Sequence, residues 1–199
     1  MTRSEQKRLA IIQAAKLEFI ENGFLAANMN NISAAAEVSK RTLYRHFESK
    51  ELLFEAVLED IQKSISRDQS YSFDPSKSLE TQLKAITFYE IDVMYKMYGI
   101  ALSRTIIMEF FRQPELAKTV THKLYRTRAV NGWFEQAIAA KMLDAPSAET
   151  ITSVFMSVFQ GLLFWPQVLD LLAMPEAEEL EQKVDLIVAT VLRTFAVTK

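Results

Sequence analysis

Six of the seven positions from Lys40 to His46 (KRTLYRH) carry hydrogen-bond donors: Lys40, Arg41, Thr42, Tyr44, Arg45 and His46. The chemistry open to such a set is recognition of a polyanion. Ammonium and hydroxyl groups suit phosphate oxygens, and a guanidinium can pair in bidentate fashion with a guanine edge. A charge run alone usually does no more than solvate a helix face. Here a tyrosine stands among the cations, while Leu43 and Phe47 keep an apolar side.

Those donors need a scaffold, and the flanking residues supply one. Asn28 to Lys50 reads as a helix-turn-helix: a short helix from about Met29 to Ala36, a three-residue turn, and a second helix from about Lys40 to His46. Ile32 and Ala36 share a face of the first helix, and Val38, Leu43 and Phe47 line the turn and the second. Ser39 is placed as an N-cap. Asn28 offers another and is, with Asn30 and Asn31, a candidate for contact with a DNA backbone. Upstream, Leu9, Ile12, Ala15 and Phe19 repeat at helical spacing from about Ser4 to Asn22, where Gly23 is placed to end the helix. Arg3, Lys7 and Arg8 at its start could touch a phosphate strand or simply be solvated. Downstream, Ser49 can cap a helix running to about Ser66 that joins head to body.

The segment SKRTLYRHFESKELL (residues 39–53) strongly resembles the most recognisable stretch of the TetR family of one-component transcription regulators. The resemblance is motif-level over about residues 9 to 58 and architectural beyond them. It implies that residues 40–46 form a recognition helix, that Thr42, Tyr44 and His46 face DNA, and that Lys50 contacts phosphate. Leu43 and Phe47 match its core positions. It also implies a homodimer on a palindromic double-stranded operator, with a small-molecule effector in the C-terminal body. Two departures stand out: Glu37 replaces the usual turn glycine, and Arg41 a frequent glycine. Glu37 therefore requires either a left-handed backbone or a differently closed turn, and Arg41 adds a base-edge donor.

Composition fits this reading. The 199 residues are 49% hydrophobic and 24% charged, ordinary for a globular chain with a sizeable core. The net charge of -2 hides an asymmetry: residues 1–50 hold 8 Lys/Arg against 5 Asp/Glu, net +3, and the remaining 15 against 20 give -5. A basic head on an acidic body is expected if only the head meets phosphate. The apolar runs are short and the N-terminus lacks a signal-peptide core, so no membrane segment and a cytoplasmic location are expected. Without cysteine and with two histidines, neither metal nor cofactor is expected. An enzyme is the main competing class. No P-loop, GxGxxG, HExxH or nucleophile elbow occurs, and His122 reads as an exposed helix residue rather than a base. A helical protein-binding adaptor is the other alternative, which steeply salt-dependent duplex binding would separate from a DNA regulator.

The division is expected near residues 67–74, giving a DNA-binding domain at 1–66 and an effector-binding and dimerisation domain at 67–199. The second should be all-α, with helices near 75–97, 100–112, 115–141, 147–171 and 176–196, the fourth bent at Pro166. With the head this makes about nine helices. Ile151, Val154, Phe155, Val158, Phe159 and Leu162, followed by Leu180, Val184, Ile187, Val188, Val191 and Phe195, have the spacing of a four-helix dimer interface, though some must face their own core. Phe88, Met94, Met108, Trp133, Phe155 and Phe159 are candidates for an effector site. Glu90, Asp92 and Glu109 could meet a cationic ligand, or pair with Arg104 or Arg112.

Overall fold

The structure, a computed structural model, describes residues 1–67, 71–115, 117–118 and 129–197. Among these residues the fold is all-α, with nine helices and no strand beyond one isolated bridge between Leu143 and Ala196. They are α1 (Arg3–Ala26), α2 (Met29–Ala35), α3 (Lys40–His46), α4 (Lys50–Arg67), α5 (Leu79–Asp92, continued by a π turn over Val93–Tyr98), α6 (Ile100–Arg112), α7 (Ala129–Ala139), α8 (Ala148–Val168, with a π turn over Gln160–Phe164) and α9 (Ala177–Phe195). The helix expected over 115–141 is described from Ala129; residues 116 and 119–128, His122 included, lie outside the described residues.

The chain forms two compact units. The first takes Met1–Arg67 and adds Ala101–Leu124, so α6 joins the head rather than the body expected from residue 67 onward. Within this unit the Thr105 hydroxyl of α6 lies 3.2 Å from the Phe19 carbonyl of α1 and 3.2 Å from Ala101 O in its own helix, and can donate to either. α1 is the frame of this unit. Ile11, Ala15 and Phe19 are buried along it, and the Phe19, Phe24 and Phe54 rings pack mutually at 5.1 to 5.8 Å, joining α1 to α4. Burying each such ring contributes on the order of 2 kcal/mol. Gly23, at φ 69°, breaks α1 as its sequence position suggests, but one more turn follows through Ala26.

Local signals set the short helices. The side chains of Asn28, Ser39 and Ser49 accept from the backbone N–H of Asn30, Thr42 and Leu52 at 2.8, 3.2 and 3.2 Å, satisfying donors that a helix start leaves open. Glu37 adopts φ 51°. Its N–H reaches Ala34 O and the N–H of Val38 reaches Ser33 O, both at 3.0 Å, closing α2 through a left-handed residue as glycine commonly does. Lys141 and Asp170 occupy the same kind of position, at φ 57° and 59°.

In the second unit α5, α7, α8 and α9 surround one core containing Leu83, Ile86, Met94, Trp133, Phe134, Ile151, Phe155, Phe159, Val184, Ile187 and Val191. α8 alone among the described helices is long and apolar enough to cross a membrane, and Ile151, Phe155, Phe159 and Leu163 place one of its faces in this core. Its π turn sits just before Pro166, which lacks an N–H and whose ring crowds the carbonyl four residues back. α5 begins at Leu79, capped by Ser78, rather than at Pro75. The segment before it is held by Gln82, which accepts from Asp74 N at 2.8 Å and Trp133 Nε1 at 3.2 Å and donates to Asp74 O at 2.8 Å.

Candidate nucleic-acid interface

The face that α3 presents to solvent is set by its two buried anchors, Leu43 and Phe47. At 100° per residue, Arg41 and Arg45 fall on the opposite arc and Tyr44 about a quarter-turn to the side, while Lys40, one turn before Leu43, opens the helix on the anchored side; all four are exposed, Tyr44 by 48%. None of the three cations is ion-paired among the described residues, which leaves a donor surface uncommitted. Thr42 lies at the edge, half-buried, with its hydroxyl 2.9 Å from that of Ser39. Asn30 is exposed, whereas the Asn28 side chain is spent on its cap. Asn31 is turned back to α1, where its amide donates to Glu18 Oε1 at 3.2 Å; the same oxygen accepts from Asn28 N at 2.9 Å.

Two residues that the motif places against DNA are held inward. His46 is half-buried and its Nε2 is enclosed without a hydrogen-bond partner. Burial, and then the charges of Arg45, Arg8 and Lys7, hold its pKa below the ordinary 6.5, so the neutral imidazole is favoured. Lys50 donates to Leu25 O at 2.9 Å and to Ala27 O at 3.1 Å, and its ammonium lies 4.9 Å from the Phe24 ring centre. At the start of α1, the Arg8 guanidinium covers the Phe47 ring at 5.0 Å. The sequence could not reveal either arrangement, because both depend on how α1 crosses the motif.

The candidate effector residues divide. Met94, Trp133, Phe155 and Phe159 share the second unit's core, where rings follow one another from Phe73 through Trp133, Phe134 and Phe155 to Phe159 at 5.3 to 6.0 Å. Phe88 faces solvent, and Met108, 64% exposed, lies on α6 in the first unit. Those two are not part of the cluster: helical spacing fixes a face but not its direction. The acids are accounted for by neighbours: Glu90 accepts from Tyr71 at 3.2 Å, Asp92 pairs with Lys96 at 2.7 Å, and buried Glu109 meets Gln113 and, at 3.5 Å, Arg112. No cluster of three metal-ligating side chains occurs among the described residues.

The interface candidates need the same correction. Ile151, Phe155, Val184, Ile187 and Val191 are fully buried inside their own protomer, as are Phe159 and Val188. Their spacing satisfies the inner face of a four-helix layer as well as an outer one. Val154, Val158, Leu162 and Phe195 remain partly accessible.

A basic second helix whose cations are unpaired among the described residues, on a capped helix-turn-helix, in a chain that also holds a separate helical unit, defines a DNA-binding transcriptional regulator. Residues 11–57 match the family model of bacterial regulatory proteins of the tetR family, and residues 81–197 match the C-terminal domain of AefR-like transcriptional repressors. The chain belongs to the TetR family. It is 27% identical over 184 residues to the HTH-type transcriptional regulator UidR of Escherichia coli, covering 92% of this chain and 88% of that one. Among solved structures, a TetR family regulator from Pseudomonas syringae pv. tomato superimposes with a TM-score of 0.80 at 26% identity over the whole of both chains. The flavonoid-responsive regulator FrrA does so with 0.76 at 30% identity, covering 98% of this chain and all of that one.

Proposed function

We propose that the protein is a cytoplasmic homodimeric repressor that binds a palindromic operator in duplex DNA and leaves it when a small apolar molecule enters the second unit. The observation that carries the DNA half is the uncommitted outer face of α3. Lys40 and Tyr44 serve as phosphate donors, Arg41 and Arg45 read base edges, and Asn30 adds a backbone contact. In a dimer these contacts recur at half-sites about one helical turn, roughly 10 base pairs, or a multiple of it apart.

The partner surface is the outward face of α8 and α9. Val154, Val158 and Leu162 flank the exposed Ser153, Ser157 and Gly161, with Leu186 exposed on α9. The effector is assigned to the aromatic sequence from Phe73 to Phe159, with the Trp133–Gln82 hydrogen bond as its polar handle. An aromatic ligand suits these rings, and FrrA, whose name records a response to flavonoids, supports that class. Release follows only if the ligand prefers the state with the wrong head spacing, since equal affinity shifts nothing.

The test is a titration of the purified protein against randomised duplexes over a salt series, followed by planar aromatic compounds with Trp133 fluorescence as reporter. A dimeric mass, a steep salt slope and ligand-dependent release are expected. A monomer that still binds operator would overturn the interface. Compounds that bind and leave DNA affinity untouched would overturn the effector assignment.

A further inference from the structure

Lys50 is the first residue of α4. A helix N-terminus carries partial positive charge, so a lysine there is placed against the dipole and gains nothing from its own helix. Its ammonium goes elsewhere: it donates to Leu25 O and Ala27 O and covers the Phe24 ring. These carbonyls stand where α1, already broken at Gly23, runs out of backbone donors, and where its dipole is negative. Ala27 immediately precedes Asn28, the cap of α2. One ammonium thus gathers the end of α1, the entry to α2 and the start of α4, with two of its three N–H groups spent on carbonyls.

We propose that Lys50 is a positioning residue for operator binding: it sets the angle at which α4 carries the helix-turn-helix, and so where the recognition helix meets the groove. This extends the DNA-binding activity of the family; only the half-site readout below rests on the palindromic reading.

Two variants separate positioning from phosphate contact. Lys50→Met keeps a stem over Phe24 and removes the donors, whereas Lys50→Arg keeps charge and donors. For Lys50→Met the expected result is an operator affinity lower by about tenfold or more at every salt concentration, because charge-assisted hydrogen bonds to the carbonyls are lost. The salt slope should stay that of the parent, and duplex selection should tolerate half-site spacings one base pair longer or shorter. Lys50→Arg should restore affinity and spacing. A slope that falls by about one unit per head, with spacing unchanged, is the signature of a lost phosphate contact and overturns the proposal.

A measurement without DNA guards against failure of the operator reading. The chain has no cysteine, so Ala35→Cys on α2 and Leu52→Cys on α4 accept nitroxide labels at exposed positions only. The distance distribution between them should broaden in Lys50→Met and narrow again in Lys50→Arg. An unchanged distribution overturns the proposal, whatever the operator proves to be.

Discussion

Replacing Glu37 by glycine should stabilise the protein, and the size of the gain follows from the backbone. At φ 51° its Cβ crowds the following carbonyl, a cost of roughly 1 to 2 kcal/mol for an L-residue. Glycine removes that cost but brings an unfolded state with more freedom, worth about 0.4 to 1 kcal/mol in the other direction. The net gain is about 0 to 1.6 kcal/mol, about 0.8 kcal/mol at the centre of the range, which is roughly 2 to 3 °C in Tm for a chain of this size. The informative comparison is with Glu37→Ala, which removes the carboxylate but keeps Cβ. Thermal unfolding of the three proteins should rank glycine above both others, with alanine no better than the parent. The same exchange at Lys141, φ 57°, should gain a similar amount, and at Asp170, φ 59°, less, because aspartate tolerates the left-handed region better. An alanine variant as stable as the glycine variant would show that charge, not backbone strain, limits the turn.

Other outcomes follow from contacts already named. Arg41→Ala and Arg45→Ala should each cost roughly 1 to 3 kcal/mol on the preferred operator and relax preference at one position per half-site, seen by duplex selection; unchanged selectivity in both would remove α3 as the reading element. His46, whose pKa lies below its ordinary 6.5, binds more protons unfolded than folded just under that pH, so its stabilising effect is complete above pH 6.5 and declines as the pH falls. Chemical denaturation from pH 7.5 to 5 should therefore fall more steeply for the parent than for His46→Gln; identical profiles would count against the buried neutral imidazole. Gln82→Leu strands the Trp133 N–H and the Asp74 amide groups, at about 2 to 4 kcal/mol in total. A loss under 1 kcal/mol in denaturant would show that water replaces the side chain.

What the sequence could say was local. Asn28, Ser39 and Ser49 announce helix starts because capping involves neighbours two or three residues away, and the boundaries of α2 and α3 were legible for that reason. Leu43 and Phe47 pointed inward as their spacing required. Faces of the long helices were not legible: Ile151, Phe155, Val184 and Ile187 have a period that fits a partner's surface and the protomer's own core alike. Lys50 illustrates the same limit at a single atom, since its carbonyl partners lie 23 and 25 residues away in the chain. The φ of Glu37 was half legible, as a choice between strain and another closure, and the closing hydrogen bonds decided it.

The π turns over Val93–Tyr98 and Gln160–Phe164 are linked to each other, because the Tyr95 hydroxyl donates to Leu163 O at 2.9 Å. A π turn is an α turn with one residue too many, so each can be regarded as a single-codon insertion in an otherwise plain helix. Removing one residue between 160 and 164 would leave Ile151, Phe155 and Phe159 where they are and rotate Trp165–Val168 by about 100°. Gln167 and Val168, now buried, would swing away from their present seat. Homologues one residue shorter here are therefore expected to share the upstream α8 pattern and to carry a different set of buried residues after it, a register change that an ungapped alignment would misread as divergence.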